Sequence, residues 1–164
     1  MTVKELPPQI DRPAALRFTV YGVAQPAGSK RAFYNKSAGR VLVTDANKKA
    51  RPWKAEVVAA ARTAMLAESV TETGVLVDGP LMLTLTFYAP RPRGHFGAKG
   101  VKPSAPDWPI VRPDVLKLAR GVEDACTGVI WRDDAQIVVE NLRKEYGEPA
   151  RVEVAVERLQ GLPR

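Results

Sequence analysis

Apolar and polar positions alternate along several segments of the chain, as they do in half-buried β-strands. The first such segment covers residues 16–23. The longest covers residues 81–88, where Leu81, Leu83, Leu85 and Phe87 alternate with smaller or more polar side chains, and we expect it to be a central strand. Two more strands are predicted at residues 136–144 and 151–159, separated by a turn at residues 147–149.

Two further segments have the three- and four-residue spacing of amphipathic helices. The first is predicted from about residue 46 to 68, with Thr44 or Asp45 as its cap and with Pro52 kinking its beginning or moving its start later. The second runs from Asp114 to Cys126 and stops at Thr127-Gly128. The apolar side of this second helix consists of Val115, Leu118, Ala119, Val122, Ala125 and Cys126. Its polar side consists of Leu116, Lys117, Arg120, Glu123 and Asp124, so Leu116 is out of place there.

The remaining segments are turns, an arm and one long loop. Residues 1–14 contain three prolines and predict a loose N-terminal arm, which leaves residues 15–160 as one domain. Residues 25–40 predict a hairpin with a basic tip. Residues 90–113 are rich in proline and glycine, and we expect a loop without regular structure that orders on a nucleic acid. Phe96 and Trp108 would anchor this loop to the core or stack on bases.

Charge and composition narrow the choice of partners and of site chemistry. The formal charge of +7 favours a polyanion, and nucleic acid is the leading candidate, although many basic proteins carry such charge only for solubility. Cys126 and His95 are each the only residue of their type, so a metal site must use oxygen ligands. No apolar run is long enough for a membrane span and no leader pattern is present, which predicts a cytoplasmic protein with no membrane partner.

Basic side chains are concentrated in two places that suit a phosphate backbone. One is the hairpin and the other is the long loop with the helix that follows it. A solvated surface is the alternative interpretation of such short basic runs. The candidate DNA contacts are Lys30, Arg31, Arg91, Arg93, Lys99, Lys102, Arg112 and Lys117.

Residues 112–136 combine acidic with basic groups, which is what a metal-dependent nuclease requires. Carboxylates bind a hard cation, and Lys and Arg bind phosphate. Taken singly, Asp114 is also a common helix cap and Asp133-Asp134 a common turn before a strand.

Residues 112–138 resemble the RusA-type Holliday junction resolvases. Asp114 matches the first aspartate of the family motif, Lys117-Leu118 the following pair, and Arg120 a position where the family has lysine. Asp124-Ala125 and residues 133–136 match the later parts of the motif. The resemblance implies an α+β fold with a mixed sheet packed by two main helices, a homodimer, and Mg²⁺- or Mn²⁺-dependent resolution of four-way DNA junctions by symmetric paired nicks. It also implies a bacterial or phage-infected cell.

Leu116 stands where the family motif has its second aspartate, and leucine cannot bind a metal. Either the site is impaired, or Glu123, two helical turns further along the same face, replaces the lost carboxylate; we favour replacement. The resemblance then assigns the metal to Asp114 and Asp134, with Asp133, and helix geometry adds Glu123 as the replacement ligand. Arg120 or Lys117 would stabilise the charge on the phosphate. This prediction requires Asp114 and Asp134 to share an ion. An inactive branched-DNA-binding protein and a flap or fork nuclease remain as alternatives.

Overall fold

A computed structural model describes residues 16–28, 30–45, 47–67 and 77–160. The predicted arm at residues 1–14 lies outside these residues. The strands are β1 (Leu16–Tyr21), β2 (Lys30–Asn35), β3 (Arg40–Asp45), β4 (Leu81–Ala89), β5 (Phe96–Gly97), β6 (Gly100–Val101), β7 (Ile137–Tyr146) and β8 (Arg151–Arg158). The two α-helices are α1 (Ala50–Ala67) and α2 (Val115–Cys126), and short 3₁₀ turns cover Arg93–His95 and Asp134–Gln136.

The main sheet is mixed and has the strand order β1-β8-β4-β7. Strand β4 is antiparallel to β8 and parallel to β7, and it lies between them, as its continuous apolar alternation predicts. Leu81, Leu83, Leu85 and Phe87 all face the core and are buried. The α+β class and the mixed sheet with two helices are therefore confirmed.

The core lies between this sheet and the two helices. Helix α1 contributes Trp53, Val57, Ala61 and Met65, at the spacing that places side chains on one face of a helix. Helix α2 contributes the predicted apolar stripe, from Leu118 to Cys126, while Val115 at its start is only half-buried. No helix in the described part of the chain is both long and apolar enough to cross a membrane.

The start of α1 differs from the sequence prediction. Thr44 and Asp45 belong to β3 and do not cap the helix. The turn before α1 is organised by Asn47, whose side-chain oxygen accepts from the Lys49 N–H and whose carbonyl accepts from the Ala50 N–H. Pro52 is tolerated because it lies in the first turn, where a backbone donor needs no partner within the helix.

The long loop also differs from the prediction, because it contains regular structure. Strands β5 and β6 form a small hairpin between residues 96 and 101, preceded by the 3₁₀ turn. Side chains from outside the hairpin fix the loop: the Arg91 guanidinium lies 4.1 Å from the centre of the Tyr146 ring and donates to the Pro106 carbonyl. Contacts within the chain itself therefore order the loop.

Candidate active site

Asp134 is fixed against the C-terminal end of α2. Its Oδ1 accepts hydrogen bonds from the Thr127 hydroxyl and, at 2.9 Å, from the indole Nε1 of Trp131. Trp131 is fully buried, so its ring holds the carboxylate from the core side. One oxygen of Asp134 is thus used for positioning, and Oδ2 is the oxygen left for a ligand.

Glu123 lies beside Asp134, one turn before Thr127 on α2. Partial burial, a hydrogen bond with the side chain of Glu140, and the negative charges of Glu140 and Asp134 raise the pKa of Glu123 to about 7. Arg120 acts in the opposite direction. Two carboxyl groups, that of Glu140 in β7 and that of Asp134 in the turn before β7, are therefore each close to Glu123 of α2, with one guanidinium nearby.

The acid Glu140 was not predicted from the sequence. It lies in β7, which packs beside α2, so the tertiary fold and not the helix pattern brings it to Glu123. It is an exposed acid in a strand that carries several other charged side chains, and that signal alone does not distinguish a site residue from an ordinary surface acid.

The buried thiol of Cys126 lies on the core side of this acidic cluster. Burial, together with the charges of Asp134 and Glu123, raises the pKa of Cys126 to about 12. The thiol therefore stays protonated at neutral pH and is a packing residue.

Asp133 has a structural contact of its own. Its side chain accepts from the Ala135 N–H at 2.8 Å, and Gln136 Oε1 accepts in return from the backbone N–H of Asp133. These reciprocal bonds form a capping box on the short turn that carries Asp134. Asp133 and Gln136 thus fix the turn that orients Asp134.

Asp114 is at the opposite end of α2 from this cluster. It occupies the position before the first helical residue, and its carboxylate lies 3.3 Å from the ammonium of Lys117. The 12 residues of α2 rise about 18 Å, whereas Asp134 contacts Thr127, just past the last helical residue. Within one chain the structure does not bring Asp114 to Asp134, so the predicted sharing of an ion by these two residues is not supported.

Leu116 lies in the first turn of the same helix and is 67% exposed. The position where the family motif has a carboxylate therefore presents an apolar side chain to solvent. The structure thus separates the polar face of α2 into two ends, with Asp114 and Lys117 at its start and Arg120 and Glu123 near its end.

The acidic cluster suits a hard divalent cation in its donor chemistry, since all its ligand atoms are carboxylate oxygens. The negative charges of Glu140 and Asp134 raise the pKa of Glu123, and a bound cation would offset this repulsion between carboxylates. Among the described residues, however, no group of three or more acidic, His or Cys side chains is already arranged to hold a metal ion.

The segment that leads into α2 is held by a lysine of β7. Lys144 Nζ donates to the carbonyls of Val111 and Pro113, at 2.7 and 2.8 Å. The side chain of Lys144 also lines an open cleft of about 380 Å³ next to Asp114 and Arg112. Strand β7 therefore contributes to both ends of α2, through Glu140 at one and Lys144 at the other.

The predicted DNA contacts fall into different structural classes. Arg91 is engaged with Tyr146 and Pro106, and the Lys102 ammonium donates to the Gly94 carbonyl, so both stabilise the loop. The side chains of Lys30 and Arg31, which begin β2, lie outside the described part of the chain. Besides Lys102, the exposed members of the set are Arg93, Lys99, Arg112 and Lys117.

Comparison with known proteins defines the class as an endodeoxyribonuclease, since the family model for endodeoxyribonuclease RusA matches residues 24–157. The chain belongs to the RusA endodeoxyribonuclease family. It is also 32% identical over 148 residues to the uncharacterized protein YqaN of Bacillus subtilis (strain 168), a match that covers 86% of this chain and 94% of YqaN. The family implies endonuclease activity on branched DNA, and RusA-type nucleases are generally dependent on divalent metals.

Proposed function

We propose that this protein is an Mg²⁺-dependent, structure-specific endodeoxyribonuclease that resolves Holliday junctions by paired nicks. Family membership supports the reaction class. The observation that carries the proposal is the position of Glu123, which contacts Glu140 and lies beside Asp134. A carboxylate is thus present near Asp134 although the family aspartate is replaced by Leu116.

We assign the cation to Glu123, Asp134 and Glu140. Mn²⁺ would occupy the same oxygen ligands, since it shares the preference of Mg²⁺ for carboxylates. A bound divalent cation supplies Lewis-acid polarisation of the scissile phosphate. In this assignment Asp133 orients Asp134, and Asp114 acts at the start of α2 by orienting Lys117.

The protein groups around the phosphate supply charge and position. Arg120 already lies within electrostatic range of Glu123 and would stabilise the extra negative charge of the pentacovalent phosphorus. Lys117, one turn earlier on the same helix, would contact the adjacent phosphate together with Arg112. The exposed Arg93 and Lys99 extend this basic surface along the loop.

Two equivalent strands of a four-way junction have to be cut, which requires two active sites related by a twofold axis. We therefore propose a homodimer. We also propose that residues 15–160 act as one nuclease domain and that the protein works in the cytoplasm, where the DNA of a bacterial or phage-infected cell is found.

Cleavage of a synthetic four-way junction tests this assignment. We expect a loss of about tenfold to a hundredfold in the Mg²⁺-dependent cleavage rate for each of Glu123→Gln, Glu140→Gln and Asp134→Asn, because each change removes one negatively charged ligand. Asp124→Asn is the matched control: it removes an acid from the same helix, one that pairs with Lys54 at 2.7 Å. Cleavage by Glu123→Gln at the wild-type rate would contradict the assignment.

The exposure of Leu116 and the lack of a ready-made metal group among the described residues favour one second candidate, a catalytically impaired protein that binds branched DNA. In that case the wild-type chain would bind the junction in Mg²⁺ and in Mn²⁺ without cutting it. Leu116→Asp would then restore cleavage. Comparison of junctions with flaps and forks in the same assay identifies a nuclease of different substrate choice.

A further inference from the structure

The β2–β3 hairpin forms a separate two-stranded sheet. In the described part of the chain its strands pair only with each other, from Lys30↔Asp45 to Asn35↔Arg40. Isolated two-stranded hairpins are marginally stable in water unless something covers one of their faces. This hairpin therefore has the character of an element that meets a partner.

Apolar side chains are exposed on both faces of this hairpin. Tyr34 and Val41 are opposite each other in the register and are 62% and 60% exposed. Phe33 lies on the other face, opposite Leu42, and is 47% exposed. Because both faces present exposed side chains, the hairpin can be contacted from two sides, as the walls of a groove would contact it.

The charge of the hairpin indicates which partner is favoured. Its sequence contains four cationic residues and one acid, Asp45. Lys36 and Arg40 flank the turn at its tip and are exposed. A polyanion suits this distribution better than a second copy of the same basic chain.

The base of the hairpin is attached to the helix that carries the candidate site. The Ala27 N–H donates to the Lys117 carbonyl at 2.8 Å, and the Asn47 side-chain amide donates to the Pro26 carbonyl at 3.3 Å, so both ends of the hairpin are held together over α2. The crossing is close, since a Cβ on Gly121 would lie 2.9 Å from the Gln25 carbonyl oxygen. The hairpin thus projects from a defined point on α2.

We propose that the β2–β3 hairpin is a DNA-docking ribbon that enters the major groove of one duplex arm of the branched substrate. This inference rests on the proposed function for its choice of branched DNA. A B-DNA major groove is about 12 Å wide and about 8.5 Å deep and admits a two-stranded β-ribbon. Six-residue strands are about 20 Å long, so the ribbon is long enough to lie within the groove, where Lys36 and Arg40 at its tip would contact the phosphates of the groove walls.

The test measures DNA binding in EDTA, where cleavage does not contribute. Fluorescence anisotropy of a labelled junction is recorded between about 50 and 200 mM NaCl for the wild type and for the double variant Lys36→Ala/Arg40→Ala. Loss of two phosphate contacts should reduce the slope of log K against log salt by about 1.8, so that the variant loses about twelvefold less affinity than the wild type across this range. Tyr34→Ala should weaken binding with the slope unchanged.

The matched control is Arg51→Ala/Arg62→Ala, which removes the same charge from exposed positions of α1. Its slope should stay within about 0.5 of the wild type, since only charges that neutralise phosphates release counterions and set the slope. Equal slopes for the two double variants would overturn the proposal. A change from dimer to monomer on size-exclusion chromatography of Tyr34→Ala would also overturn it, because the hairpin would then be an interface between copies.

Failure of the nuclease proposal has a different signature. A chain that binds the junction through the hairpin but leaves it uncut contradicts the catalytic assignment only. A chain that cuts normally, with unchanged binding in Lys36→Ala/Arg40→Ala, contradicts the ribbon only.

Discussion

Replacement of Gly121 by alanine tests the packing of the hairpin base on α2. Helix propensity alone predicts that this change stabilises the protein, because alanine is favoured over glycine inside a helix by about 1 kcal/mol. The structure predicts the opposite sign. The added Cβ would lie 2.9 Å from the Gln25 carbonyl oxygen and 3.5 Å from the Ala27 nitrogen, and both are backbone atoms that cannot rotate away.

Relief of that clash requires the segment at residues 25–27 to move away from α2, which lengthens the hydrogen bond from the Ala27 N–H to the Lys117 carbonyl. Overpacking of this kind costs typically about 1–3 kcal/mol. Subtracting the gain in helix propensity leaves a net destabilisation of about 1 kcal/mol. Urea denaturation followed by circular dichroism measures this difference as a shift in the midpoint at constant slope.

Gly94→Ala is the control, since a Cβ added to Gly94 would have no neighbouring atom within 4 Å and the stability should change by less than about 0.5 kcal/mol. An increase in stability for Gly121→Ala would refute the close crossing. The same variant should bind junction DNA less tightly, because the hairpin would leave its position over α2.

Three other changes have clear expected outcomes. In EDTA at pH 8, Glu123→Gln should stabilise the fold by about 1 kcal/mol after allowance for solvent screening, because the raised pKa of Glu123 means that its charged form is disfavoured in the folded protein. This gain in stability should vanish as the pH falls to about 4.5, and thermal unfolding at a series of pH values measures it. Lys144→Met should lower the junction-cleavage rate while Lys144→Arg retains most of it, since only arginine can donate to the carbonyls of Val111 and Pro113. Unchanged cleavage by Lys144→Met would contradict the role of Lys144 in positioning the segment before α2. Trp131→Phe should lower the free energy of unfolding in urea by about 1–3 kcal/mol, because it removes the indole donor to Asp134 and leaves a cavity. A smaller loss in the Asp134→Asn background would confirm that the two side chains are coupled.

The sequence predicts the local elements of this fold well wherever the apolar period is regular. Strand β4 and helix α2 lie close to the predicted positions because their buried residues follow periods of two and of three to four. The predicted start of α1 is wrong, since Thr44 and Asp45 are good caps in isolation but pair within β3. Pairing between strands is a tertiary contact that a local cap signal does not include.

The site could be predicted only in part, because contacts between elements distant in the sequence decide which side chains meet. The relation of Glu123 to Leu116 follows from helix geometry, and Glu123 does lie beside Asp134. Glu140 was missed because its position depends on how β7 packs along α2. Asp114 lies apart from Asp134, with which the motif groups it, because the two residues are at opposite ends of α2. Motif spacing gives the order of carboxylates along the chain, but the packing of elements decides which of them meet.

The inert thiol of Cys126 has a practical consequence for experiments on this protein. A cysteine that is buried and protonated reacts slowly with maleimides and methanethiosulfonates, because the thiolate is the reacting species. The wild-type chain is therefore a ready background for site-specific labelling. A single Ser37→Cys change at the hairpin tip would accept a spin label or a dye, and its distance to a labelled DNA arm would report directly on how the two molecules are oriented.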